Sequence, residues 1–298
     1  MVEKSYPVSS EMKKIIFSKI MHITFTKMNS QGNEFILIDL SKQNLKFSDD
    51  VIQKIIKKSE INFDQLLLID FNNNDNINCQ IFNNDGSRAY QCGNGLRAIM
   101  LYLNTKYNYS RIVVFIENKP YSVFIDDQKE ITASMGVPRA FKLIDNNMYY
   151  LESFEKQNLV IDSIKFPIDF YLIELGNMHC VIVKQYTKDE KKIIINYFDE
   201  NHKNLFNLEF VDNPDDLFNL DSNHFMVSVF EAGAGWTKSC GSGATAVASL
   251  FYGLHGAQSS NKLVIIKQEG GELKIKKVDN NLLLTGPSVI EHEGMIYV

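Results

Sequence analysis

The chain repeats itself across its midpoint. Residues 82–98 read FNNDGSRAYQCGNGLRA and residues 230–246 read FEAGAGWTKSCGSGATA. At an offset of 148 residues the two segments share a phenylalanine, a Cys-Gly-x-Gly and a closing alanine. That offset is close to half of the 298 residues. Upstream, Gly32-Asn33 begins 60 residues before Cys92, and Gly176-Asn177 begins 64 before Cys240. A looser pair is Gln65, 27 residues before Cys92, and Asn207, 33 before Cys240. Self-similarity at a long period limits a chain to copies of one supersecondary unit. With roughly 150 residues per domain as a prior, two similar halves are the economical reading.

Within each half the periodicity is mixed. Residues 35–39, 65–70, 111–116, 121–125, 172–175, 181–183 and 263–266 are short runs rich in β-branched or aromatic residues, which predicts strands. After each Cys-Gly-x-Gly the apolar residues change to helical spacing: Leu96, Ile99, Met100 and Leu103, then Ala244, Val247, Ala248 and Phe251. Gly, Asn and Ser around each cysteine suit a turn feeding a helix N-terminus. The expected fold is α/β in the broad sense (α+β): two pseudo-symmetric domains, each a curved mixed or antiparallel sheet wrapped around a principal helix, with a cleft between them. The boundary falls near Gly136–Arg139. Asn72–Asn78 reads as a surface turn and Pro214-Asp215-Asp216 as a loop.

Composition narrows the function classes. A formal charge of −5 without a dense Lys/Arg block gives no reason to expect nucleic acid. No apolar run approaches the ~18–20 residues of a membrane span. Residues 1–21 lack the unbroken apolar core and small-residue cleavage site of a secretory signal. Four cysteines are too few for a disulfide scaffold of this length, and none forms a C-x-x-C pair. A cytoplasmic protein with reduced thiols and no metal follows as the expectation.

A thiol at a helix N-terminus meets unsatisfied N–H groups and the positive end of the macrodipole. Both favour thiolate, and such cysteines can fall from about 8.5 to roughly 3.5–7.5 in pKa. The flanking glycines let backbone amides approach a carboxylate closely. Two such thiols in equivalent halves suit inversion at an α-carbon: one removes a proton from one face while the other delivers a proton to the opposite face. The carbanion formed without pyridoxal phosphate needs a dry, donor-lined site. Against this stands the ordinary fate of a buried free cysteine, an inert small hydrophobe. Cys79 and Cys180, in strand-like stretches without the glycines, fit that fate. Neither Cys-Gly-x-Gly completes a nucleotide-loop pattern. His179, taken alone, reads as a core histidine.

From about Phe25 to the C-terminus the chain resembles the diaminopimelate epimerase family. The resemblance rests on Phe25-Thr-Lys-Met-Asn-Ser-Gln-Gly-Asn-Glu-Phe35, on Phe82-Asn-Asn-Asp-Gly-Ser87 with Gln91-Cys-Gly-Asn-Gly95 and Arg97, on Gly176-Asn177-x-His179, and on Cys240-Gly-Ser-Gly243. Weaker echoes are Met135-Gly-Val-Pro138, Gly270-Gly271 and Thr285-Gly-Pro287. It implies a cofactor-independent (pyridoxal-phosphate-independent) isomerase of lysine and peptidoglycan-precursor synthesis, acting on a small amino acid and forming a homodimer. It implies Cys92 and Cys240 as proton donor and acceptor, with His179 and Glu231 setting their protonation. Asn33, Gln65, Asn83, Asn177 and Asn207 would bind the substrate's amino and carboxylate groups, and the amides of Gly93, Asn94, Gly241 and Ser242 the reacting carboxylate. The domains would run 23–139 and 140–287, after an extension 1–22, with residues 288–298 returning to the first domain.

Two departures bear on the substrate. Where the family usually has Glu-Arg, whose guanidinium helps bind the substrate's far end, this chain has Glu231-Ala232. Trp236 and Arg88 stand where the family often has Glu. Hydrogen bonds to charged groups contribute roughly 1.5–3 kcal/mol, so losing that clamp lowers affinity for a distal carboxylate. LL- to meso-diaminopimelate inversion is the first expectation, racemisation of another amino acid such as histidine the second, and a catalytically inactive ligand-binding relative the third.

Overall fold

The computed structural model describes residues 22–43, 47–58, 61–71, 76–145, 147–203 and 205–297. Of the expected N-terminal extension 1–22, all but His22 lies outside them.

The first half runs β1 (His22–Ser30), β2 (Asn33–Asp39), α1 (Asp49–Lys58), β3 (Gln65–Phe71), β4 (Ile77–Asn83) and β5 (Arg88–Ala89). It continues with α2 (Gly93–Tyr107), β6 (Arg111–Ile116), β7 (Lys119–Ile125) and β8 (Ile131–Gly136). β9 (Arg139–Ile144), β10 (Asn147–Tyr150) and β11 (Gln157–Leu159) lead to the second half. There the order recurs as β12 (Ile168–Leu175), β13 (Asn177–Ile182), α3 (Lys188–His202), β14 (Phe206–Val211), β15 (His224–Glu231) and β16 (Gly235–Thr237). α4 (Gly241–His255), β17 (Leu263–Gln268), β18 (Gly271–Val278), β19 (Asn281–Gly286) and β20 (Val289–Tyr297) complete it.

Strand pairing repeats with the order. β2–β3 and β13–β14 are parallel, β3–β4 and β14–β15 antiparallel, β4–β6 and β15–β17 parallel. The copies join where β8 and β19 pair antiparallel. Each half also passes its next strand across: β9 pairs with β12, and β20 with β1. The fold is mixed α+β with two pseudo-symmetric domains. The register extends the equivalence to single residues. Phe35, two after Asn33, pairs with Gln65; His179, two after Asn177, pairs with Asn207. Leu66 faces Phe82 and Leu208 faces Phe230, which puts Asn83 and Glu231 in equivalent places.

The principal helices are enclosed because they are apolar almost all round. α4 is buried at every residue from Gly241 to Tyr252, and α2 at every residue from Gly93 to Met100. Both contribute to one continuous core with strands of both halves, where each buried Leu, Ile or Phe contributes about 2 kcal/mol. α1 and α3 cover outer faces with narrower stripes, Val51-Ile52-Ile55 and Ile194-Ile195-Phe198.

Two local expectations are corrected. Pro214–Leu217 is a helical turn rather than a loop, since proline at the first helical position has φ preset and no N–H to lose. The segment 72–78 is not all turn: Ile77 and Asn78 already belong to β4, where Ile77 is fully buried, and residues 72–75 lie outside the described residues. Among the described residues no helix is long and apolar enough to cross a membrane.

Candidate active site

Each cysteine caps its helix. Cys92 precedes α2 in extended conformation (φ −150°, ψ 102°), and its sulfur accepts from the Gly95 N–H at 3.2 Å. Cys240 precedes α4 (φ −120°, ψ 111°), accepts from the Gly243 N–H at 3.4 Å and has Ser242 Oγ 3.5 Å from its sulfur.

The two helix ends meet. A Cβ on Gly93 would lie 2.8 Å from Leu284 Cδ2 and 2.9 Å from Met135 Cε. One on Gly241 would lie 2.9 Å from the same Leu284 atom and 2.8 Å from Asn94 Oδ1. Glycine therefore lets both N-termini close on one leucine, a use beyond the ligand approach read from the sequence. Asn94 Nδ2 completes the junction by donating to the Ser239 carbonyl at 3.0 Å, directly before Cys240.

The surroundings of the two thiols differ in charge. Near Cys240, His179 Nδ1 lies 2.7 Å from Glu209 Oε1, both side chains fully buried. Glu209 lies against the first turn of α4, where a Cβ on Gly243 would come within 2.5 Å of its Oε1. The Glu231 carboxyl accepts from the Thr237 hydroxyl, and its charge opposes ionisation of Cys240. Its charge also opposes ionisation of Cys92, so it bears on both sulfurs. The register puts apolar residues, Phe35 and Leu67, where the second half has His179 and Glu209. Sequence reading missed Glu209. Its signal was a lone carboxylate in Phe206–Val211, a strand buried at every position.

The polar residues expected at the site fall into three groups. Asn33 Oδ1 is 4.0 Å from the Cys92 sulfur, and Asn177 Nδ2 donates to the Gln91 carbonyl at 3.4 Å, so both halves reach the first cysteine. Gln65 Nε2 donates to Asn83 Oδ1 at 2.9 Å. Asn207 Oδ1 accepts from the Ala232 N–H at 3.0 Å, beside Glu231. Asp64, also missed, receives Asn33 Nδ2 at 3.4 Å. Of the departures noted above, Arg88 is held by Glu117 at 3.0 Å, and the half-exposed Trp236 packs on Phe210 and Phe230. Among the described residues no three His, Cys, Asp or Glu side chains converge on a metal position.

The expectation of lowered thiol pKa values is corrected. Burial pushes Cys92 up to about 12, with Glu231 adding to it, while the Gly95 N–H and the Arg97 charge oppose it. Burial, then Glu231 and Glu209, hold Cys240 well above the ordinary thiol value. The helix-end effect is present, but desolvation of a thiolate outweighs it. A thiol so raised gives a strongly basic thiolate once ionised, which suits removal of a weakly acidic α-proton. The consequence for stability has a definite sign. The proton held by Cys92 contributes stability that is full below the unfolded thiol value near 8.5 and is lost as pH rises through about 12. Reaction of Cys92 with iodoacetamide, followed peptide by peptide, is expected to be slow at neutral pH and to climb about tenfold per unit in alkali. A rate already level at pH 7 would show an ionised thiol instead.

The family model for diaminopimelate epimerase matches this chain twice, over residues 25–145 and 171–291. The chain belongs to the diaminopimelate epimerase family. Its double match coincides with the internal repeat. The chain is 31% identical to the diaminopimelate epimerase of Buchnera aphidicola subsp. Acyrthosiphon pisum (strain 5A), over 93% of this chain and 96% of that one. It is 29% identical to that of Blochmanniella floridana, over 91% and 99%. Among solved structures it shares its fold with a phenazine biosynthesis protein of Bacillus anthracis (12% identity, 93% and 99% coverage, TM-score 0.65). A hydroxyproline epimerase from Agrobacterium vitis matches with 9% identity, 93% coverage of each chain and TM-score 0.63. An epimerase-type isomerase is thus the enzyme class of this family member.

Proposed function

We propose that this family member inverts an amino-acid α-carbon with two thiols and no cofactor, and that diaminopimelate is its substrate. The observation that carries the reading is the junction itself: two N-capping cysteines, one per half, on helix ends that share Leu284 and are bridged from Asn94 to Ser239. In one direction the Cys92 thiolate takes the α-proton, and the Cys240 thiol gives its own proton to the opposite face. The enzyme is left with a thiol at 92 and a thiolate at 240, the state required for the reverse direction. The amides of Gly93, Asn94, Gly241 and Ser242 hold the carboxylate on which negative charge develops. Asn33, Gln65, Asn83, Asn177 and Asn207 receive the remaining polar groups. His179 and Glu231 adjust the protonation of the thiols, and Glu209 fixes the His179 ring. The setting is cytoplasmic, and the protein works as a homodimer.

One observation favours a second substrate reading. Ala232 offers no guanidinium in the turn between β15 and β16, so an amino acid without a distal carboxylate, such as histidine, is the alternative. Incubation in deuterated water separates the two, because the true substrate gains α-deuterium as it inverts. Exchange on histidine and none on diaminopimelate would move the assignment. Exchange on no amino acid would sink the enzymatic reading and leave a ligand-binding relative.

A further inference from the structure

Arg97 is fully buried one turn into α2, and among the described residues no Asp or Glu pairs with it. Its contacts are neutral oxygens: Nη1 to the Gly93 carbonyl at 3.5 Å, Nη2 to Asn94 Oδ1 at 3.0 Å and to Gln31 Oε1 at 3.2 Å. Its Nε has no hydrogen-bond partner among the described residues. A buried cation without a counter-ion is costly and is retained where negative charge visits. The offset of 148 puts Thr245 in the equivalent place on α4, where its hydroxyl donates to the Gly241 carbonyl at 2.7 Å. The second half thus keeps the hydrogen bond to the helix start and omits the charge.

We propose that Arg97 is a positioning residue that polarises the site. Its fork fixes Asn94, the bridge between the two cysteine loops, and its charge makes Cys92 the first thiol to ionise, leaving Cys240 as the proton donor in the resting enzyme. The charged and titratable groups bearing on Cys92 are Arg97 from α2, Glu231 from β15 and the Cys79 thiol from β4. Those bearing on Cys240 are Glu231 and Glu209, with His179 behind them. The guanidinium among these acts on Cys92 and favours its thiolate. Arg97 touches neither sulfur, and it acts on substrate only through Asn94 and the thiol. The idea rests on the reading of Cys92 and Cys240 as the reacting pair.

The test compares Arg97→Met and Arg97→Lys with the parent chain, reading iodoacetamide alkylation of Cys92 and Cys240 by mass spectrometry across pH 7–10. In the parent chain Cys92 is expected to alkylate faster than Cys240. Arg97→Met should slow Cys92 by about tenfold at a given pH, one unit of thiol pKa, and leave Cys240 unchanged. Arg97→Lys keeps the charge and should hold Cys92 within about threefold, while losing the fork and lowering kcat for α-proton exchange more than it alters KM. Equal alkylation of the two thiols in the parent chain would overturn the proposal. So would unchanged Cys92 reactivity in a folded Arg97→Met chain. If Arg97→Met fails to fold, Arg97→Lys decides: slowed Cys92 alkylation despite the retained charge refutes the electrostatic role, and the parent's rate supports it. Alkylation needs no turnover, so a chain that inverts no amino acid fails the functional reading separately.

Discussion

Replacing Cys240 by Ala is expected to abolish inversion while leaving the fold in place, with the rate falling by about 10²–10⁴. In the proposed mechanism the thiol supplies the proton on one face, and no other donor within the described contacts takes its place. Ser242 Oγ is 3.5 Å from the sulfur but has no pKa suited to the exchange. The structural cost is small. Cys240 is buried and caps α4 through one long contact to Gly243, and loss of a helix cap costs about 1 kcal/mol. Deuterated water makes the result specific. With Cys240→Ala, the remaining Cys92 can still exchange the α-proton of one enantiomer from its own face, with retention; Cys92→Ala should show the opposite enantiomer preference. Inversion within about tenfold of the parent rate in either variant would end the two-thiol mechanism.

The second large effect is on assembly of the cleft. Gly270 sits in the turn between β17 and β18, where an added Cβ would lie 1.8 Å from the Gln31 carbonyl oxygen and 3.0 Å from the Lys238 oxygen. Both are backbone atoms, so no side chain can rotate away. The Gly270 N–H also donates to that Lys238 carbonyl at 2.7 Å, and Gln31 Nε2 donates to the Glu272 carbonyl at 2.8 Å. This seam joins the β1–β2 turn of one half to the approach to Cys240 in the other. Gly270→Ala should destabilise by about 3 kcal/mol, the upper range for overpacking, and lower the melting temperature by roughly 5–10 °C. Gly233→Ala is the control, since nothing lies within 4 Å of its added Cβ and only its positive φ costs, about 1–2 kcal/mol. Equal melting temperatures for the two variants would show that the seam yields.

Much of the site was legible because it is local. An N-capping residue, the glycines behind it and the apolar spacing of the following helix are read within about a dozen residues, and the chain states them twice. The strand runs were legible for the same reason, as at Gln65–Phe71 and Arg111–Ile116. Glu209 was not, because a single Glu in an apolar strand becomes a buried partner of His179 only when β13 and β14 pair.

By itself, then, the sequence determined that there are two equivalent thiols, each at a helix start, one in each half. The tertiary structure alone decided that those starts abut across Leu284 and that burial raises both thiols. It also decided that carboxylates gather at Cys240 and a lone guanidinium near Cys92. The reason is physical: capping and periodicity are set by neighbours along the chain, whereas desolvation and charge are set by whatever the fold brings alongside.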